Sequence, residues 1–446
     1  MAVEKPLWFT SRIPVRDGQS FPNPPKNIPY MRPRTVAVLG GLLVVLGGLI
    51  VLGLSISSAG GTLDEVWISD TPRDNQLNHH AVGVGPDGDV IVAPVAEVPN
   101  SDAPITNTSC ALVRLAPESG STLWRTGVPA EDCFTHALTQ PAVEDVDGDG
   151  TAEVLVSSTE NALVAYDART ASEEWRTPLE TFGYGRPTVA TITSTGGPHV
   201  VTSDIRGAIV VTRGNGSIAW RFGLNTIGWN RVAVWDAPVV DDIDGDSRSE
   251  VLVGSSNGPV LLSPDGEVEW LRNDSARYVA TAPVDDDAAL EVFTAGTSAI
   301  RAYDGASGAE EWTRSLSNGR VHTVADADRN GTAELYVGRF GGEILTLNAE
   351  TGATEWSTSI SSSDDTIVPP PVLGDVTGDG QSEVIAVTET GSVVVLHAAS
   401  GAELARYERS VPIWTFATPA DIDDDSRMEV LVRYGDGRVV ALEYEP

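Results

Sequence analysis

Asp145, Asp147 and Asp149 occupy alternate positions in the stretch DVDGDGTAEVLV, with Gly150 next and Glu153 at the ninth place. Carboxylates at alternate positions of a tight loop can turn their oxygens toward one centre. Glycine permits the sharp turn this needs, and a later carboxylate can close an oxygen cage around a hard cation. The chemistry open to such a loop is cation binding, since it offers neither a nucleophile nor an open coordination site. The text returns as DIDGDSRSEVLV from Asp242, DADRNGTAELYV from Asp326, DVTGDGQSEVIA from Asp375 and DIDDDSRMEVLV from Asp421. Each loop runs into an apolar strand, so the cage repeats together with a structural unit.

The elements that must hold these loops follow from the spacing. Aligned on the residue that opens the second strand, the units fall at Asp89, Glu153, His199, Glu250, Glu291, Glu334, Glu383 and Glu429. From Glu153 onward they are 41 to 51 residues apart, the length of one propeller blade of four short antiparallel strands. A second signal runs in phase: RLAPESGSTLW (114–124), AYDARTASEEW (165–175), AYDGASGAEEW (302–312) and TLNAETGATEW (346–356) each read as strand, turn and Trp-bearing strand. Trp220 and Trp270 take the same place behind the hairpin signals NG and DG. A tryptophan recurring at one site of each blade is expected to pack between neighbouring blades. Unit seven departs from the rule with Ala405. The last unit ends at VVALEYEP, one strand short, while LDEVWIS (63–69) carries Trp67 in the missing strand's pattern. The front of the chain is therefore expected to complete the last blade and leave no open edge.

These paired signatures resemble the quinoprotein dehydrogenase-like (PQQ-like repeat) propellers, whose docking motif runs Ala-x-Asp-x-x-Thr-Gly-x-x-x-Trp. The acidic loops are similar to those of integrin-type FG-GAP repeats. The resemblance covers residues 63–446 and implies an all-β, eight-bladed β-propeller of four-stranded antiparallel blades. It implies Ca²⁺ as a structural ion, held by side chains at loop positions one, three, five and nine and a carbonyl at seven. Carried over, the ligands are Asp145, Asp147, Asp149 and Glu153; Asp242, Asp244, Asp246 and Glu250; Asp326, Asp328, Asn330 and Glu334. The eighth unit offers Asp421, Asp423, Asp425 and Glu429, and the seventh Asp375, Asp379 and Glu383 with Thr377 at position three. Ser247 and Ser426 replace the usual glycine, unit three (TITSTGGPH) lacks the acids, and unit five (VDDDAALE) reads as too short to wrap an ion. Quinoprotein dehydrogenases hold pyrroloquinoline quinone beside adjacent cysteines. Here Cys110 and Cys133 are separated by 23 positions, so that cofactor is not expected.

On the opposite face, the links between blades concentrate Arg186, Arg231, Arg277 and Arg320, His79, His80, His136 and His322, and Tyr184, Trp229, Tyr278 and Trp414. Arginine forks suit carboxylate or sulfate and aromatic faces suit sugar rings, so this ring reads as a ligand site for an anionic glycan or a segment of a cell-surface protein. The alternative is that these groups plug the funnel by pairing with acids such as Asp236, Asp364 and Asp365. Cys110 and Cys133 fall on the same face and are expected to form a disulfide.

Composition narrows the partners. Net charge is -34, with 63 acidic residues against 29 basic, which excludes nucleic acid and anionic lipid as partners for the bulk of the surface. The only lysines are Lys5 and Lys26. An acid-rich, lysine-poor exterior resembles proteins adapted to molar salt, as in haloarchaea. Residues 1–34 are proline-rich and expected to be disordered. The uncharged apolar run over 36–56 is 21 residues long, which suits a helix crossing a bilayer core. Basic residues precede it and Asp64 and Glu65 follow, so residues 35–56 read as a signal anchor with a cytoplasmic tail. A linker over 57–62 then leads to an extracellular propeller, single-pass in the cell membrane. The competing reading is a cleaved signal peptide ending at Ala59. The function expected is a non-enzymatic binding or scaffold module stabilised by calcium. The alternatives are a quinoprotein-like dehydrogenase and a calcium-dependent polysaccharide lyase.

Overall fold

The computed structural model describes residues 60–71, 80–97, 109–134, 136–192 and 197–446. The tail, the apolar run over 35–56 and His79 lie outside these residues. Among those described, no helix is long and apolar enough to cross a membrane.

Eight four-stranded antiparallel sheets follow one another along the chain. The second blade shows why the sequence folds this way. Its strands Ala142–Glu144, Glu153–Ser158, Ala162–Asp167 and Glu173–Pro178 pair in that order. The second strand is buried at every position, and the third at all but its last, because each sheet is covered on both faces. Strands in that setting read as unbroken Val, Leu and Ala. Val154, Val156 and Val164 pack with Val92 and Leu112 of the first blade, and Leu155, Leu163 and Ala165 with Val200 of the third. The fourth strand is the outer rim, so it leaves most of its residues exposed.

The recurrent tryptophan fastens each rim to the next blade. The indole N–H groups of Trp67, Trp124, Trp220, Trp270, Trp312 and Trp356 donate to the carbonyls of Pro117, Ala168, Pro264, Gly305, Ala349 and Ala398 at 2.6–2.8 Å. Each acceptor lies in the hairpin between the third and fourth strands of the following blade. Under the rings of Trp67, Trp270 and Trp356 sit Gly120, Gly308 and Gly401, all with φ near +65°, and a Cβ there would come within 2.3–2.7 Å of ring atoms. Positive φ and the close approach of the ring both call for glycine. Trp175 rests on Gly216 in the same way, but its N–H has no partner.

The eighth blade joins the two halves of the chain. Thr62–Ile68 pairs antiparallel with Val439–Glu445, with Trp67 opposite Ala441 and a bulge between Glu65 and Trp67. This arrangement accounts for Ala405. The third and fourth strands of blade eight are not joined by a hairpin, so an indole from blade seven has no turn on which to dock. Ala405 is buried instead, and Gly60 packs close to the Leu404 carbonyl. Blade seven is held to blade eight by the Tyr407 hydroxyl donating to Glu65 Oε2 at 2.9 Å and by Arg409 paired with Asp436 at 2.5 Å. Cys110 and Cys133 are bonded to each other, tying blade one to the link that follows it.

Candidate functional site

Two sets of residues converge in this frame. The first is the acidic loop between the first and second strands. In blade two, Asp145 accepts from the backbone N–H groups of Gly148 and Gly150 at 2.7 and 2.9 Å, and Glu153 Oε2 accepts from Val146 N–H at 2.8 Å. Blade seven repeats the first pair of bonds, with Asp375 accepting from Gly378 and Gly380 at 2.8 Å. Ser247 and Ser426 adopt φ of 71°, the left-handed conformation that Gly150 holds at 86°, so serine does not prevent the loop from forming. Ligand oxygens of Asp145, Asp147 and Glu153 lie within 4.8 Å of one another, as do those of Asp242, Asp244 and Asp246, and of Asp326, Asp328 and Glu334.

Blade five corrects the sequence reading. Its loop between Ala282 and Glu291 spans the same number of residues as the loop between Glu144 and Glu153. It is not too short, and Asp285, Asp287 and Glu291 converge within 4.8 Å. Of the four side-chain ligand positions only the first differs, with Pro283 in place of aspartate. In blade eight Arg427 donates to Asp425 at 2.7 and 2.8 Å and also pairs with Glu443, so a guanidinium supplies positive charge to that loop. In blade seven Thr377 donates to Glu383 Oε1 at 3.2 Å.

The ninth-position glutamates are almost fully buried. Burial, together with the neighbouring aspartates, pushes Glu153, Glu250, Glu291, Glu334 and Glu429 up to about 7, and Glu383 upward. One oxygen of Glu153, of Glu250 and of Glu291 has no hydrogen-bond partner. A buried carboxylate among other carboxylates is costly unless a cation joins it. The residue set fits a hard cation.

Sequence reasoning missed one member of these clusters. Glu269, on the fourth strand of blade four, joins Asp244 and Glu250 within 4.8 Å. The signal was available, as a glutamate directly before the docking tryptophan at Glu174, Glu269, Glu311 and Glu355.

The second set faces the axis. Links between blades line a cavity of about 490 Å³ that brings together Tyr184, Arg186, Arg277, Tyr278, Arg320, His322 and Trp414. Arg231 is exposed and does not line it, and Trp229 is buried in the core with Leu224 and Val234. The cause is local: a 3-10 helix over Leu224–Ile227 lengthens this link. Trp235, overlooked in the sequence, reaches the axis instead. The guanidinium of Arg277 lies 5.3 Å from the Trp235 ring and 5.7 Å from the Tyr278 ring, and that of Arg320 lies 5.1 Å from the Phe340 ring. Nε of Arg186 has no partner, and burial lowers the pKa of this arginine against the opposing charge of Glu144.

Among the described residues, none of these three arginines has a carboxylate within 4.0 Å, whereas Arg176, Arg301, Arg339, Arg406, Arg409 and Arg427 all do. Asp236 is already engaged, accepting from Ala237 and Val279 N–H at 2.9 and 3.2 Å with His322 Nε2 at 3.5 Å. Asp364 and Asp365 are exposed and do not line the cavity. The arginines therefore do not plug the funnel by pairing with these acids. The His322 ring lies 5.4 Å from Tyr278 and 4.5 Å from Phe416, and Tyr184 meets His80 and His136 at 4.9 and 4.6 Å. Burial raises Tyr278, while Arg277 and Arg320 pull it back.

The profile of the PQQ_2 family, described as outer membrane protein assembly factor BamB, matches residues 110–273 and 206–443. No curated protein matches the chain. Among solved structures, BamB from Moraxella catarrhalis superposes with a TM-score of 0.56 at 16% identity, over 86% of this chain and 100% of that one. The computationally designed Ika8 protein gives 0.55 at 14%, over 85% and 99%. The quinohemoprotein alcohol dehydrogenase ADHIIG from Pseudomonas putida HK5 gives 0.60 at 12%, over 87% and 77%. At these identities the likeness is one of fold.

Proposed function

The chain belongs to the repeat family described as outer membrane protein assembly factor BamB, and from that premise we propose that it is a binding module: a propeller anchored at the cell membrane, outside the cytoplasm. Its axial cavity takes an anionic ligand and its acidic loops hold calcium. The observation that carries the ligand reading is the trio Arg186, Arg277 and Arg320, gathered on one cavity of a chain with net charge -34 and, among the described residues, with no carboxylate in ion-pair contact. Arg186 is half-buried, and Arg277 and Arg320 lie against aromatic rings; guanidinium groups so held suit a planar anion that accepts two hydrogen bonds. A segment of a cell-surface protein bearing Asp or Glu side chains and a glycan bearing uronate or sulfate both present such groups. The family description names an assembly factor, which favours the protein segment.

Arg277→Ala combined with Arg320→Ala is expected to weaken binding by about tenfold or more for each charge-assisted hydrogen bond lost. The ligands come from an array of acidic peptides and of sulfated and uronate glycans, and Arg231→Ala leaves binding unchanged. An array on which the double variant binds as the parent does would remove this reading. A second reading is favoured by His322 lying beside Asp236 and next to Tyr278. These groups could move a proton at a uronate held by the arginines, as in a polysaccharide lyase. A uronate polymer whose ultraviolet absorbance stays flat in the presence of the protein and calcium would exclude it. Quinone chemistry receives no such support, because the two cysteines are 23 positions apart and not adjacent.

A further inference from the structure

Building on the cation reading above, we propose that the glutamate preceding each docking tryptophan, Glu269 in blade four with Glu174, Glu311 and Glu355 in blades two, five and six by position, is a further ligand to the loop cation. Filling a loop then fixes the rim strand of its blade, and with it the indole that docks onto the next.

With each carboxylate monodentate, four side chains and one carbonyl give five oxygens, whereas calcium takes six to eight, so the shell has room for a further oxygen from water, a bidentate carboxylate or another side chain. Several of those oxygens are also spent within the loop. In blade four both oxygens of Asp242 accept from Ser247 N–H at 3.0 and 3.1 Å, Asp244 Oδ1 accepts from Asp246 N–H at 2.9 Å, and Asp246 Oδ1 accepts from Arg248 N–H at 2.8 Å. Glu250 Oε2 accepts from Ile243 N–H at 2.9 Å. Glu250 Oε1 remains without a partner on a side chain that is 0% exposed, and an oxygen of Glu269 converges with Glu250 and Asp244 within 4.8 Å. Glu269 lies on an exposed rim position and is free to turn toward solvent, yet it meets two other carboxylates. Two like charges held together at an accessible site call for a cation between them.

The pattern along the chain supports the same assignment. Glutamate stands before the tryptophan in blades two, four, five and six, where loop carboxylates converge. Blades one and three carry Leu123 and Ala219 at this place; the blade-three loop has no acid, and the blade-one turn has only Asp87 and Asp89. In blade eight, where Val66 takes the place, Arg427 holds the loop aspartate.

The test is calcium titration of the full-length protein in detergent by calorimetry, with tryptophan fluorescence recorded in parallel. The Glu174→Gln, Glu269→Gln, Glu311→Gln, Glu355→Gln variant keeps the shape of four rim side chains, and its fold is checked by circular dichroism. It is expected to bind calcium about tenfold or more weakly and to lose the calcium-induced change in fluorescence. A comparison variant, Asp147→Asn with Asp244→Asn, loses sites outright. If the glutamine variant binds calcium as tightly as the parent while the asparagine variant does not, the rim ligands are overturned and the loop cation stands. If the parent itself takes up no calcium, the cation reading falls and this inference falls with it.

Discussion

Removing residues 1–69 is expected to abolish the folded ring, whereas removing residues 1–59 leaves it intact. The difference is one strand. Thr62–Ile68 is the fourth strand of blade eight and buries Leu63 and Trp67, which are 4% and 6% exposed. Its loss removes two core side chains, the indole bond to Pro117 and the pairing partner of Val439–Glu445. Truncating a buried tryptophan alone costs about 3–5 kcal/mol, against a net stability of about 5–15 kcal/mol for a typical domain. The shortened chain also exposes a strand edge that invites intermolecular pairing. Size-exclusion chromatography and thermal melting of the two truncations check this, with Trp67→Ala expected to fall between them. Equal melting temperatures for the two truncations would show that the seal contributes nothing.

Without divalent cations, the protein is expected to be more stable near pH 5 than near pH 8, and saturating calcium is expected to reverse that order. Five buried glutamates titrate at about 7 in the folded chain, against an ordinary value of 4.5. An acid whose folded pKa is raised binds more protons folded than unfolded. Its contribution to stability is therefore fully present below the unfolded value and is lost as pH rises through 7. Calcium competes for the deprotonated form, so it stabilises most at high pH. At a free concentration ten times Kd, each site adds about 1.4 kcal/mol, or about 6 kcal/mol over the loops of blades two, four, five and six. Melting curves at both pH values, with chelator and with calcium, read this directly. A melting temperature indifferent to chelator at pH 8 would mean that the loops hold no ion that matters to stability.

What the sequence made legible is what it repeats. The tryptophan period, the acidic loops and the borrowed strand at Trp67 recur in fixed phase, and each is a local requirement of one blade. The axial residues follow no such rule, because each link between blades has its own length. Arg186, Arg277 and Arg320 could be picked from links whose course is short, but the 3-10 helix at Leu224–Ile227 moved Arg231 out of reach and left the axis to Trp235. The reading of blade five failed because it took VDDDAALE (284–291) as the whole loop and left out Pro283 at its first position. Counting residues between strands would have shown a loop of ordinary length. Glu269 was overlooked because its partners Asp244 and Glu250 lie some twenty residues earlier in the chain, in the loop and at the start of the second strand of the blade.

The borrowed strand also decides where the disc yields. Tension on the chain ahead of Thr62 enters at the rung between Thr62 and Glu445, the outermost end of the seam, and must travel along it before it reaches Trp67 and Ile68. The rungs meet that pull one after another, and the seven other sheets need not part for the seam to open. A pull from the amino-terminal side would thus breach the ring first at a single predetermined place, as a zip fastener starts to open at its end, and the loss of the folded ring follows from that breach.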